Sequence, residues 1–161
     1  MLDSTIQVNV FLMQYCRTLL ADVPDERMAE QPMAGVNHPA WILGHLAVTG
    51  EGSVEKLGGQ KTLPTAWADL FRPGSKPSNV RGLYPSKDTL MQAFEKTYER
   101  LRERIAAATA EQLSRPTTNE RAKRTLPTLR EQLAFVLTGH VAIHLGQLSA
   151  WRRMIDLPPM F

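Results

Sequence analysis

One cysteine in 161 residues removes two chemistries at once. Cys16 has no partner for an internal disulfide, and no CxxC pair exists for a thiolate metal site or a redox couple. A reducing, cytoplasmic setting is therefore the expectation. Aromatic residues are only 7% of the chain and the net charge is a mild +3. Arg115, Arg121, Lys123, Arg124 and Arg130 crowd one segment, but the aromatic-interleaved basic face or docking motif that nucleic-acid binding needs is missing. That segment reads as a solvated loop and helix end.

Long apolar runs are missing too. Even FVLTGHVAIHLG (135–146) is broken by threonine, glycine and two histidines, short of the roughly 20 residues of a membrane span. The opening MLDSTIQVNVFLMQYC has no positively charged leader region and mixes Gln7, Asn9 and Gln14 among its apolar residues, so neither export nor a membrane partner is expected. No stretch alternates as a strand would, and no repeat occurs. At 43% apolar content, residues 1–161 are enough for one domain with a sizeable core.

What is present is helical periodicity. A first helix, capped by Asp3 or Ser4, runs to about Leu20 with Ile6, Val10, Met13 and Leu20 on one face. The second opens at NHPAW, with Asn37 or His38 as cap and Pro39 at the first helical position, and Gly58-Gly59 ends it after about Lys56. Residues 58 to 85 are rich in Pro, Gly and Ser, with room for one short helical turn at Ala66–Phe71. So long a connection is uncommon unless it spans the structure; read as a crossover, it leaves the second and third helices parallel.

Ser86 caps the third helix, whose Leu90, Phe94, Thr97, Leu101, Ile105 and Ala108 form a seam that Pro116 and the polar TTNERAK terminate. The fourth starts at Thr128, where Thr128 and Glu131 have capping-box spacing, and runs to about Asp156. The fold class is all-α: an antiparallel four-helix bundle with a long crossover between the second and third helices.

On the fourth helix Leu133, Leu137, His140, His144, Gln147 and Trp151 share one stripe; on the second, His38, Trp41, Ile42, His45, Val48 and Gly52 share another. All four histidines thus face inward, where each imidazole is costly unless both nitrogens find partners. His140 and His144 are about 6 Å apart along the axis, close enough to converge on one cation, and His45 is the natural third ligand from the facing helix. His38, roughly 10 Å from His45 along the helix, falls at the rim. Without the glutamate of a zincin motif, nothing points to a metalloprotease. The competing reading is three core histidines, each with its own buried hydrogen-bond partner.

NHPAWILGHLA (37–47), TAWADLFRPGS (65–75) and GHVAIHLGQLSAWRRM (139–154) together resemble the DinB/YfiT-like metalloenzyme superfamily, over nearly the whole chain and in order. The resemblance implies a four-helix bundle with a divalent metal held by one histidine of the second helix and an HxxxH pair of the fourth, here His45, His140 and His144. It also implies a homodimer. Some relatives use the site for transferase or isomerase chemistry with low-molecular-weight thiols, and related domains occur in sulfoxide-forming iron enzymes.

Three neutral ligands leave open positions for substrate, as in catalytic sites. Imidazole suits zinc, nickel, iron, manganese or copper, so the metal's identity stays open. The expectation is a thiol cosubstrate activated at the ion, attacking an electrophile at a bundle end lined by Asn37, His38, Trp41, Gln147 and Trp151. The alternative is non-catalytic, an ion that stabilises the bundle or is stored or sensed in a stress response.

Overall fold

The computed structural model describes residues 2–118, 120 and 122–160; Arg121 of the basic segment lies outside them. Helix α1 spans Asp3–Leu20. Asp3 is its first residue rather than its cap, and its carboxylate faces the positive end of the helix dipole. The buried stripe runs through Asn9, Leu12, Met13, Cys16, Leu19 and Leu20, so Ile6 and Val10 sit at its partly buried border.

Helix α2 spans Pro39–Lys56. His38 is its cap: the Trp41 N–H donates to His38 Nδ1 at 3.2 Å, and Pro39 takes the position where no N–H is needed. At the far end Gly58 adopts φ +77°, and the Gly59 N–H reaches back to the Val54 carbonyl, closing the last turn. The crossover carries helix α3, Ala66–Phe71, where the short turn was expected. Arg81 then ties it down through Asp25 Oδ1 at 2.7 Å and the carbonyls of Tyr84 and Pro85.

Helix α4 spans Lys87–Ala107 and buries Leu90, Phe94, Thr97, Tyr98, Leu101 and Ile105; the Thr89 N–H donates to the Ser86 cap. It stops earlier than Pro116. Ala108 leaves the helical region, and Thr109 and Gln112 form a capping box that starts a separate helix α5, Ala110–Ser114. Helix α6 spans Leu129–Met154. The Thr128–Glu131 capping box opens it, and one π turn, Val136–His140, interrupts it.

Contacts give the directions. His38 packs edge-on against Tyr84 just ahead of α4, Gly50 abuts Thr97 and Tyr98, and Arg100 reaches Gln60 beyond the end of α2. So α2 and α4 are parallel, and the crossover runs the bundle's length. Asn37 meets Gln147 while His45 meets His140, making α2 and α6 antiparallel. Helix α1 runs with α6, by Asn9 on Leu137 and Arg152 on Leu19, and against α4, by Arg17 on Glu95 and Arg102 on Asn9. Parallel and antiparallel neighbours alternate around the bundle.

By length and composition α6 passes for a membrane span, with 26 residues and a mean hydropathy of 1.3 in its best window. Its polar groups are turned to other helices instead. Arg152, 1% exposed, pairs with Asp22 and donates to the Leu19 carbonyl, while Gln132 and His144 are buried against neighbouring segments. This fits the core helix of a bundle.

Candidate metal centre

Helix α2 delivers His45 and helix α6 delivers His140 and His144 to one point: a ring nitrogen from each of the three lies within 4.8 Å of the others. Nε2 of His45 and Nε2 of His140 are 3.2 Å apart. Two nitrogens bound at 2.0–2.1 Å to one tetrahedral ion are separated by about 3.4 Å, so this pair already stands at ligating distance.

The tautomers are settled by what lies behind the rings. A carbonyl only accepts, so His45 Nδ1–H donates to the Phe71 carbonyl at 2.8 Å, leaving Nε2 with its lone pair. His144 Nδ1–H donates in the same way to Gln147 Oε1 at 3.0 Å, and Gln147 is held by Asn37 Nδ2 at 3.1 Å. This is the outer-shell arrangement that fixes a ligating imidazole. His140 is the exception, because its Nδ1 is buried with no partner among the described residues.

Local sequence explains the placement. Trp41, one turn before His45, stacks on it with ring centroids 4.7 Å apart and planes 7° off parallel. Gly44 lets the end of α3 approach, since a Cβ there would lie 2.3 Å from the Phe71 ring. That approach brings the Phe71 carbonyl to His45. The π turn ends on His140 itself, and the carbonyls in and ahead of it are capped: Asn9 donates to Leu137 and Thr138 Oγ1 to Ala134, both at 2.7 Å. π turns occur often at functional sites because they re-aim a side chain.

Burial holds all three rings neutral, the form a metal needs. It pushes His140 down to about 3 and His144 to about 4, helped by the neighbouring imidazoles, and lowers His45 as well. No carboxylate or thiolate joins the cluster among the described residues. Cys16 is fully buried elsewhere and its thiol is pushed up to about 12, so it supplies no nucleophile.

The expected pocket residues sit elsewhere than at an open rim. Asn37 and Gln147 stand behind His144. Buried His38 caps α2 and bonds to the Ser78 carbonyl at 2.9 Å. Trp41 backs His45 and donates to Ser75 Oγ, and buried Trp151 donates to the Glu30 carbonyl at 2.7 Å. Two of the histidines, His45 and His140, border a cavity of about 620 Å³ that none of these five residues lines. His45 and His140 form its floor; Thr49, Pro73, Gln132, Phe135 and Val136 wall it, and Ala122, Thr125 and Leu126 fold over it. Periodicity does not reveal this, because the covering loop belongs to no helix.

Across residues 13–148, a stretch that contains all three histidines, the sequence matches the DinB superfamily. The chain belongs to the DinB superfamily. No curated protein matches it. Metal binding is a property of DinB-like proteins, and the donor set of this member fits it: three neutral imidazoles, two with their second nitrogens already hydrogen-bonded.

Proposed function

We propose that this DinB-superfamily protein is a metal-dependent enzyme that activates a low-molecular-weight thiol for transfer to, or isomerisation or hydrolysis of, an electrophilic small molecule. The observation that carries the reading is the cavity against His45 and His140. A metal that merely braced the bundle would be enclosed by protein, whereas these two rings face a space large enough for a small molecule. A divalent ion bound there supplies Lewis acidity, lowering the pKa of a coordinated thiol.

The chain's own residues do the rest. His45, His140 and His144 hold the ion, Phe71 and Gln147 keep two of the rings in the ligating tautomer, and Phe135, Val136 and Leu126 exclude water from the reacting centre. Thr49 and Gln132 are the polar side chains placed to orient a substrate. A cytoplasmic setting accords with the lone buried cysteine. A homodimer is part of the proposal: Val8 and Phe11, three residues apart on α1, stay 47% and 57% exposed and would be covered by a second copy.

The test is metal analysis followed by spectroscopy. Purified protein carries about one divalent ion per chain, and adding a small thiol to the cobalt-substituted form produces a thiolate charge-transfer band and thiol-dependent turnover of a reactive electrophile. A metal-replete protein whose spectrum no thiol perturbs, and which turns over nothing, is the non-catalytic alternative.

A further inference from the structure

Gln132 borders two cavities. One is the space over the histidines; the other, of about 250 Å³, lies between Lys56, Arg115, Pro116, Thr118 and Leu129. We infer that this second cavity is a subsite for a carboxylate at the far end of the small molecule whose reacting end lies at the three histidines. The inference rests on the small-molecule reading above and adds the charge and length of the ligand.

Three observations carry it. Lys56 is half-buried at the end of α2, yet its ammonium has no hydrogen bond or ion pair among the described residues; the adjacent Glu55 pairs with Lys61 instead, at 3.2 Å. Arg115 spends its guanidinium on carbonyls alone, those of Gln112 at 3.1 Å and Lys56 at 2.7 Å. Two basic residues therefore line one cavity, and no carboxylate among the described residues pairs with either. Burial already disfavours the charged form of Lys56, a penalty that an incoming anion relieves.

Between the two cavities, Gln132 is oriented. Thr117 Oγ1 donates to its Oε1 at 3.0 Å, which leaves the Nε2 hydrogens without a partner among the described residues. They are donors for a ligand crossing from one cavity to the other.

Length follows from helix geometry. The backbone rises by about 16 Å from His45 to Lys56 along α2, and by about 12 Å from His140 to Gln132 along α6. The lysine side chain shortens the gap, but an acetate-sized anion cannot bridge it. The ligand is an extended, anionic molecule of peptide-like reach.

Cobalt-substituted protein titrated with ω-mercaptocarboxylates, from mercaptoacetate upward, tests this against ω-mercaptoalcohols of equal length. Above a threshold length the carboxylate binds about tenfold more tightly than its alcohol. In Lys56→Gln and Arg115→Gln the preference falls to within about twofold, while alcohol binding holds; any loss of melting temperature in Arg115→Gln, from its bonds to the Lys56 and Gln112 carbonyls, is the same with acid and alcohol. Equal binding of acid and alcohol at every length, or a preference that survives the double substitution, overturns the subsite.

If no thiol perturbs the cobalt spectrum, the thiol reading fails separately, and the subsite is then read from long dicarboxylates. A rise in melting temperature in wild type that the double variant loses supports it; no rise in either overturns it.

Discussion

The two flanks of the histidine cluster are built differently. Behind it, toward α3 and the end of α6, polar groups are linked in sequence: the Phe71 carbonyl to His45, Gln147 to His144, Asn37 to Gln147, His38 to Ser78. In front, His140 has an unpartnered nitrogen, its backbone is a π turn, and a loop rather than a helix covers the cavity. The committed flank fixes His45 and His144 before any ion or substrate arrives. The open flank is free to accommodate what binds. Only His45 belongs to both: the Phe71 carbonyl holds its Nδ1, and its ring lines the cavity.

The sharpest break in that comparison is removal of the rings themselves. His45→Ala, His140→Ala and His144→Ala each take away a ligand, an effect larger than the 10- to 100-fold typical of an outer-shell partner. Metal content after dialysis against a weak chelator should fall from about one ion per chain to near zero in all three. Retention of the ion in any of them removes that residue from the site.

The committed flank is next. Burial lowers His38 to about 4, and its Nδ1 must stay unprotonated to accept from Trp41. A histidine depressed on folding contributes stability that is complete above its unfolded value near 6.5 and is lost as pH falls toward its folded value. Metal-free wild type should therefore lose on the order of 3 kcal/mol relative to His38→Asn between pH 7 and pH 4. Urea denaturation across that range measures it, and parallel stability curves would show that His38 does not titrate with unfolding. The histidine triad titrates in both proteins and cancels from the difference.

Gln147→Leu removes the acceptor behind His144 while filling the same space, and should weaken metal binding about 10- to 100-fold. Gly44→Ala acts at the other ring. The added methyl meets Phe71, so overpacking costs about 1 to 3 kcal/mol and displaces the carbonyl that holds His45. A chelator competition and a melting curve read both; unchanged metal affinity in Gln147→Leu would mean the committed flank does not govern the ligand.

Much of the committed flank was legible in the sequence, and little of the open one. Proline after His38, the Thr128–Glu131 spacing and Gly58-Gly59 mark helix ends through local chemistry, which is why α2 and the start of α6 lie where expected. The convergence of His45 with His140 and His144 followed from the inward stripes of two facing helices and the HxxxH spacing. The break at Ala108 was also signalled, by Thr109 and Gln112 at capping-box spacing, but a continuous apolar seam masked it. The π turn was not read from periodicity: one of the bonds to its carbonyls comes from Asn9, 128 residues away in sequence, donating to Leu137. Asn37, His38, Trp41, Gln147 and Trp151 were expected to line a pocket at a bundle end, and helix periodicity does not show which partners each side chain finds there. The crossover supplies the partners of two of them, Ser78 for His38 and Ser75 for Trp41.

The smallest expected effect separates the flanks most cleanly. Leu126 lines the cavity from a loop and makes none of the hydrogen bonds that hold His45 and His144. Leu126→Ala should leave metal affinity within about twofold of wild type, since neither the ligands nor their hydrogen bonds change. It should still alter small-molecule binding, because trimming a cavity wall removes apolar contact from the ligand, worth about 1 to 3 kcal/mol for a leucine side chain. The Kd of a mercaptoalcohol for the cobalt protein, beside the Kd for cobalt itself, gives both numbers from one preparation. If the metal constant moves and the thiol constant does not, the loop braces the ion rather than a substrate, and the cavity is part of the scaffold.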